Sequence, residues 1–186
     1  MKFGTIIADP PWAYARTSRH ETLSGYSDVK YESLSTERLC SLPVEMLATE
    51  ESVLLLWTTW PFLSDALRVM NAWGFTFVTG LPWVKVEKNE TLSYGVGYWF
   101  RGCTEPILVG KRMRSYRTNY AGYIGETLTH SRKPDSVHEI AEKSFPGPYL
   151  ELFARRLREG WTCVGNESPE TPGEDILMSL ARLLRA

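Results

Sequence analysis

Two short and nearly uninterrupted apolar runs, Phe3 to Ala8 and Ser52 to Trp57, set the tightest limit on this chain. A strand with one wet face alternates apolar and polar residues, whereas a strand buried on both faces does not. Runs of this kind need cover on both sides of a sheet. The segments between and after them supply it, because they carry helical signals. Ser35 caps a helix read through Met46, with Leu34 and Leu39 as a hydrophobic staple. Pro61 opens another helix, which puts Phe62, Ala66, Val69, Met70 and Trp73 on one face and stops at Gly74. Phe75 to Val84 reads as extended, interrupted by Gly80 and Pro82, and Pro106 to Val109 as a strand. Pro134 opens a helix through Lys143, and Tyr149 to Phe153 and Trp161 to Gly165 read as two more strands. Strands alternating with helices predict an α/β fold with a mostly parallel sheet and with ligands at the C-terminal ends of strands.

A length of 186 residues suits one domain. It is read as residues 1–167, followed by a linker at 168–174 and a short amphipathic helix with Ile176, Leu180 and Leu183 on one face. Residues 13–33, 86–101 and 111–129 read as long irregular segments, and loops of such length are usually functional. No apolar run nears the roughly 18 residues of a bilayer span, and Met1 to Ala8 meets Asp9 too soon for a signal peptide. Cys40, Cys103 and Cys163 are too widely separated for a disulfide framework or a metal site, and His20, His130 and His138 have no ligand spacing. The expectation is a cytoplasmic protein without metal.

The net charge of -1 says little about partners, but its distribution says more. Between Arg101 and Lys133 seven basic residues face two acidic ones, Glu105 and Glu126. Lys111, Arg112, Arg114 and Arg117 form the centre of this strip, which suits either phosphate contacts or a solvated loop.

Asp9-Pro10-Pro11-Trp12 directly follows the first strand, at the sheet edge where sites form. The two prolines fix φ and lack N–H donors, so the turn is stiff and its carbonyls are free to accept. A carboxylate, a free carbonyl and an aromatic face suit a planar ring bearing an NH2 group, such as adenine; alone, the four residues better suit a strand-ending turn over a buried Trp. Three other polar clusters stand at strand or helix edges. His130-Ser131-Arg132-Lys133-Pro134 puts a cation at a helix start, Glu151 to Arg156 ends one strand, and Gly165-Asn166-Glu167 ends the next.

With those residues in view, the sequence resembles the MT-A70-type adenine methyltransferases, relatives of the beta-class amino methyltransferases. The resemblance rests on Ala-Asp-Pro-Pro-Trp (8–12), Leu-Leu-Leu-Trp (54–57), Trp-Gly-Phe (73–75), Trp-Val-Lys (83–85), Glu-Pro-Ile-Leu-Val-Gly (105–110), His-Ser-Arg-Lys-Pro (130–134), Glu-Leu-Phe-Ala-Arg (151–155), Gly-Trp (160–161) and Gly-Asn-Glu (165–167). It implies a Rossmann-like methyltransferase fold with permuted motif order and S-adenosylmethionine as cofactor. The glycine-rich cofactor turn of methyltransferases at large is replaced by Ala154 and Arg155.

The resemblance further implies transfer to the N-6 amino group of adenine in nucleic acid, with Asp9, Pro10, Pro11 and Trp12 as the catalytic run. Asp9 and the Pro10 carbonyl would accept the amino hydrogens, and Trp12 would stack on the base or wall its pocket, with Tyr14 beside it. Lys133 would meet the cofactor's carboxylate. Arg155, Asn166 and Glu167 would line its ribose and adenine, with Glu151 positioning Arg155. Substrate phosphates are assigned to Lys111, Arg112, Arg114 and Arg117 from the charge strip. Compact size and the lack of appended segments favour DNA over RNA as the polymer. An RNA adenosine methyltransferase, a catalytically silent binding subunit, a methyltransferase for small-molecule or protein amines, and a homodimer or partner subunit stay open.

Overall fold

The computed structural model describes residues 1–13, 33–87, 89, 91–95, 99–120, 122 and 133–186, with the backbone of 124–127. Its centre is a seven-stranded sheet. The strands are β1 (Phe3–Ala8), β2 (Ala48–Trp57), β3 (Thr76–Val86), β4 (Thr104–Lys111), β5 (Ile124–Thr127), β6 (Tyr149–Leu152) and β7 (Trp161–Val164). Their order across the sheet is β5-β3-β4-β2-β1-β6-β7. All pairings are parallel except those of β4, which runs against both β2 and β3. The apolar runs are central, as the pattern requires: every residue of β1 is buried, and so are Ser52 to Trp57.

The two faces separate by residue parity. Ile6, Ala8, Leu54, Leu56, Leu108, Leu150 and Leu152 form one cluster with the covering helices α1 (Thr36–Cys40), α2 (Val44–Leu47), α3 (Leu63–Ala72) and α5 (Ile176–Arg185). Ile7, Leu55, Trp57, Trp83 and Ile107 face the other way and pack on Val137 and Ala141 of α4 (Ser136–Ser144). None of the helices among the described residues is long and apolar enough to cross a membrane.

The local differences from the sequence reading have simple causes. The helix expected from Ser35 to Met46 is two pieces: the Ser35 side chain does cap α1 by accepting from the Arg38 N–H at 3.2 Å, but Pro43 interrupts before α2. A single turn of 3-10 helix at Trp60–Phe62 carries Pro61 into α3, and Gly74, at φ 79, ends it. Gly80 and Pro82 do not break β3. Pro82 lies opposite Pro106, whose carbonyl faces away from β3 and accepts from the Thr58 N–H at 3.0 Å, so the β3–β4 ladder needs no N–H from either proline at that step. The irregular stretch 111–129 contains β5, which the sequence pattern does not reveal. Residues 168–174 are anchored: Ser168 and Thr171 are buried, and the Thr171 hydroxyl accepts from the Gly165 N–H at 3.1 Å and donates to its carbonyl at 2.7 Å. Most of the loop 13–33, including Tyr14, lies outside the described residues.

Candidate active site

Asp9 is the first residue beyond β1, the strand at which the sheet changes its direction of growth. β2 lies on one side of β1, and β6 and β7 lie on the other. A crevice forms above the C-terminal ends of such a strand pair. The Pro-Pro turn there is pinned by backbone bonds. The Asp9 N–H donates to the Leu152 carbonyl at 3.4 Å, the Trp12 N–H to the Pro10 carbonyl at 2.9 Å, and the Leu34 N–H to the Pro11 carbonyl at 2.8 Å. Trp12 fixes the turn from inside. Its indole N–H donates to the Trp57 carbonyl at 3.2 Å, its ring stacks on Phe62 with centroids 5.6 Å apart, and it is only 7% exposed. A ring so covered is a wall, not an open platform for a base.

Four charged side chains from different parts of the sequence meet beside this turn. Lys133 Nζ stands 3.4 Å from Asp9 Oδ1 and 2.7 Å from Glu105 Oε2. It also sits 4.8 Å from the Trp57 ring centroid, a cation–π contact. Lys85 pairs with Glu105 Oε1. The result is a line of alternating charge, Lys85–Glu105–Lys133–Asp9.

Burial pushes the Asp9 carboxyl above its ordinary range; Lys133 opposes that rise and the neighbouring Glu105 charge adds to it. Burial acts on Glu105 in the same direction, but Lys133 and Lys85 outweigh it and hold this carboxyl below its ordinary value. Burial would lower Lys133, and Asp9 and Glu105 together hold it up as a cation. Lys85 and Glu105 are not singled out by sequence reasoning, although both lie in stretches that carry the resemblance. The missing information is register. Pairing Trp83 with Glu105 and Val84 with Thr104 brings the two chain segments together.

The other half of the crevice is built where β6 and β7 end. Phe153 adopts a left-handed backbone, φ 63, which turns the chain sharply after β6. The Ala154 N–H then donates to the Val164 carbonyl at 3.0 Å. Gly165 has no room for a side chain, because a Cβ there would lie 2.7 Å from the Ala154 carbonyl oxygen and 2.8 Å from its nitrogen. This close approach brings Arg155, Asn166 and Glu167 to one exposed rim, with Arg155 Nε 3.8 Å from Glu167 Oε2.

Two sequence expectations need correction. Glu151 does not position Arg155. On a strand, neighbouring residues point to opposite faces. Glu151 therefore turns toward α4, where its Oε2 meets His138 Nε2 at 3.0 Å, while Arg155 lies beyond the Phe153 turn with Glu167. The second correction concerns the basic strip, whose centre stands at the wrong end of the sheet. Antiparallel pairing sets Ile107 opposite Trp57 but Lys111 opposite Val53, so β4 carries the strip roughly 13 Å away from the Asp9 edge.

The strip's charges are also engaged there. Arg112 bonds the Glu45 carboxylate at 3.2 Å and the Ala48 carbonyl at 3.1 Å, Arg114 bonds Glu51 at 3.0 Å, and Lys111 bonds the Ser115 hydroxyl at 2.5 Å. Arg117 belongs to the same segment. That segment roofs a cavity of about 270 Å³ over β2 and β4, lined by Leu55, Val109, Tyr116, Tyr120 and Phe145 and without Asp9 in its wall.

Comparison with known proteins places these residues in a family. The MT-A70 family model matches residues 3–167. A protein of Medicago truncatula described as a putative N(6)-adenosine-methyltransferase MT-A70-like is 28% identical over 176 residues, which is 89% of this chain and 26% of that protein. The type II methyltransferase M.MunI of a Mycoplasma species is 28% identical over 190 residues, covering 91% of this chain and 79% of its own length. The human N(6)-adenosine-methyltransferase catalytic subunit METTL3 is 25% identical over 175 residues, 89% of this chain and 28% of its own. The chain thus spans only about a quarter of the plant and human relatives but most of the Mycoplasma one.

Proposed function

The chain belongs to the MT-A70 family, and from that premise we propose that it transfers a methyl group from S-adenosylmethionine to the N-6 amino group of adenine in DNA. The observation that carries this reading is the Asp9 carboxylate at the sheet's switch point, held against Lys133 and next to the Pro10 carbonyl. The donor set fits the cofactor. Lys133 has three N–H donors, two of them directed at Asp9 and Glu105, which leaves one for a carboxylate. Arg155, Asn166 and Glu167, brought together by the Phe153 turn and the bare Gly165, suit ribose hydroxyls and an adenine edge. When bound, S-adenosylmethionine supplies a methyl group on a sulfonium, a strong electrophile.

The residues of the chain prepare the nucleophile. The amino nitrogen of adenine is a poor one, because its lone pair is delocalised into the ring. Asp9 Oδ and the Pro10 carbonyl accept its two N–H bonds; the carbonyl already takes the Trp12 N–H but keeps a second lone pair. Accepting both hydrogens localises the lone pair and offsets the positive charge that develops on nitrogen as the C–N bond forms. A carboxylate whose proton affinity burial has raised is also suited to take the proton that this nitrogen then sheds. Trp12 keeps the turn in place, and holding the reactants in line supplies much of the acceleration.

DNA is taken as the polymer because the type II methyltransferase shares most of its length with this chain. The relatives described as N(6)-adenosine-methyltransferases favour RNA as the second reading. One experiment separates the two: incubation with methyl-labelled cofactor and DNA or RNA of varied sequence, followed by nucleoside mass spectrometry. The expected product is labelled N-6-methyldeoxyadenosine. Label found in RNA alone moves the assignment to RNA. Asp9→Ala should abolish transfer while the circular dichroism spectrum is kept, and turnover by a folded Asp9→Ala protein sinks the role given to Asp9.

A further inference from the structure

The segment between β3 and β4 carries exposed aromatic side chains that the mechanism leaves unused. Tyr94 is 61% exposed, Trp99 93% and Phe100 88%. Large aromatic rings this bare, two of them adjacent, call for a partner. The segment is rooted firmly. The Lys85 N–H donates to the Cys103 carbonyl at 2.7 Å, the Ser93 N–H to the Lys85 carbonyl at 2.8 Å, and the Gly95 N–H to the Gly102 carbonyl at 2.8 Å. Trp99, Phe100 and Arg101 lie beyond the last of these bonds, between Gly95 and Gly102. Its root is the Lys85–Glu105 pair, which belongs to the charge line ending at Asp9. The indole of Trp60 braces that root by donating to the Thr104 hydroxyl at 2.8 Å. The arm therefore projects from the same edge of the sheet as the candidate active site.

Its chemistry narrows the partner. Arg101 is the one charged residue from Thr91 to Thr104, so nothing there repels a polyanion. Bare aromatic rings next to an arginine are what unstacked bases meet on proteins, and apolar wedges inserted between base steps hold a duplex open. The need is specific, because an adenine paired in a duplex must leave the stack to reach Asp9, at a cost of a few kcal/mol. We propose that Trp99 and Phe100 form a wedge that enters the base stack next to the target adenine and fills the gap it leaves. This inference rests on the reading of the chain as a nucleic-acid adenine methyltransferase.

The test compares the chain with its Trp99→Ala/Phe100→Ala variant on one target sequence, as duplex DNA and as the single strand. Both side chains are exposed, so the melting temperature should hold. The ratio of kcat/KM on duplex to that on single strand should fall about tenfold or more. Placing 2-aminopurine at the target should give a fluorescence rise on binding to the unaltered chain and a smaller one with the variant. An unchanged ratio overturns the wedge. So does an equal loss on both substrates accompanied by a dimer-to-monomer change in light scattering, which would assign the rings to self-association. If the unaltered chain methylates single strands but no duplex, the wedge fails and the proposed function stands; if it methylates neither form of the DNA, the wedge and the DNA reading both fail.

Discussion

Replacing Glu105 by glutamine keeps the side chain's shape and removes one charge from the middle of the Lys85–Glu105–Lys133–Asp9 line. Glu105 is 17% exposed, Lys133 24% and Lys85 34%, so these charges are only partly screened. At about 4 Å and an effective dielectric of roughly 20, each Lys–Glu attraction amounts to about 4 kcal/mol. Desolvation of three partly buried groups cancels much of that sum, while removing one member leaves its partners uncompensated. A net loss of about 2–3 kcal/mol at pH 7 is expected, which lowers the melting temperature of a chain this size by about 4–12 °C.

The pH dependence follows from the sign of the shift. Glu105 is held below its ordinary value in the fold, so its contribution is complete above the unfolded carboxylate range and fades as pH falls through the folded value. Calorimetry of both proteins should show a gap in melting temperature that is wide at pH 7 and narrows toward the carboxylate range. Activity gives a second reading. Glu105 adds to the rise of the Asp9 carboxyl, so Glu105→Gln should move the acid limb of the kcat/KM profile to lower pH. A melting temperature unchanged at pH 7, or a gap that does not vary with pH, refutes the charge line as a stabilising unit.

Gly165→Ala would press a Cβ into the Ala154 backbone, so it should cost about 1–3 kcal/mol and weaken S-adenosylmethionine binding in titration calorimetry. Thr171→Val leaves the buried Gly165 N–H and carbonyl without their hydroxyl partner, and denaturant unfolding should show a loss of about 1–3 kcal/mol. Arg114→Ala removes a solvent-exposed pair remote from Asp9; the melting temperature should hold, and kcat/KM on DNA should change less than about twofold. A large loss of DNA activity in that variant would restore the basic strip to the substrate site.

The legible and illegible parts of this chain differ in how far apart the interacting residues are. Ile6, Leu54 and Leu150 announce buried strands because the period of burial is written locally. The order of those strands, and with it the position of Asp9 at the switch point, is not written in that local pattern and emerges only in the fold. The charge strip misled because composition has no direction: Lys111 to Arg117 is basic whichever end of β4 it occupies, and only the antiparallel register sends it away from Asp9. The same register hides Lys85 and Glu105, which pair across a hairpin. Glu151 misled for a local reason, since its position one step from Leu152 puts it on the α4 face. The left-handed Phe153 had no signal, because a large aromatic is the last residue expected at that conformation.

The reversed strand β4 makes the chemistry and the fold inseparable. Asp9 leaves the sheet on β1, Lys85 on β3 and Lys133 just before α4, while Glu105 enters it on β4. Only Lys85 and Glu105 are joined at one edge, by the connection from β3 to β4; between Asp9 and Lys85, and again between Glu105 and Lys133, the chain crosses the sheet and returns before the charges meet. Turnover should behave as an all-or-none reporter of native topology. In a denaturant titration, methyl transfer should disappear along the same curve as secondary structure, and a chain cut between α3 and α4 should recover activity only when its halves close the sheet together.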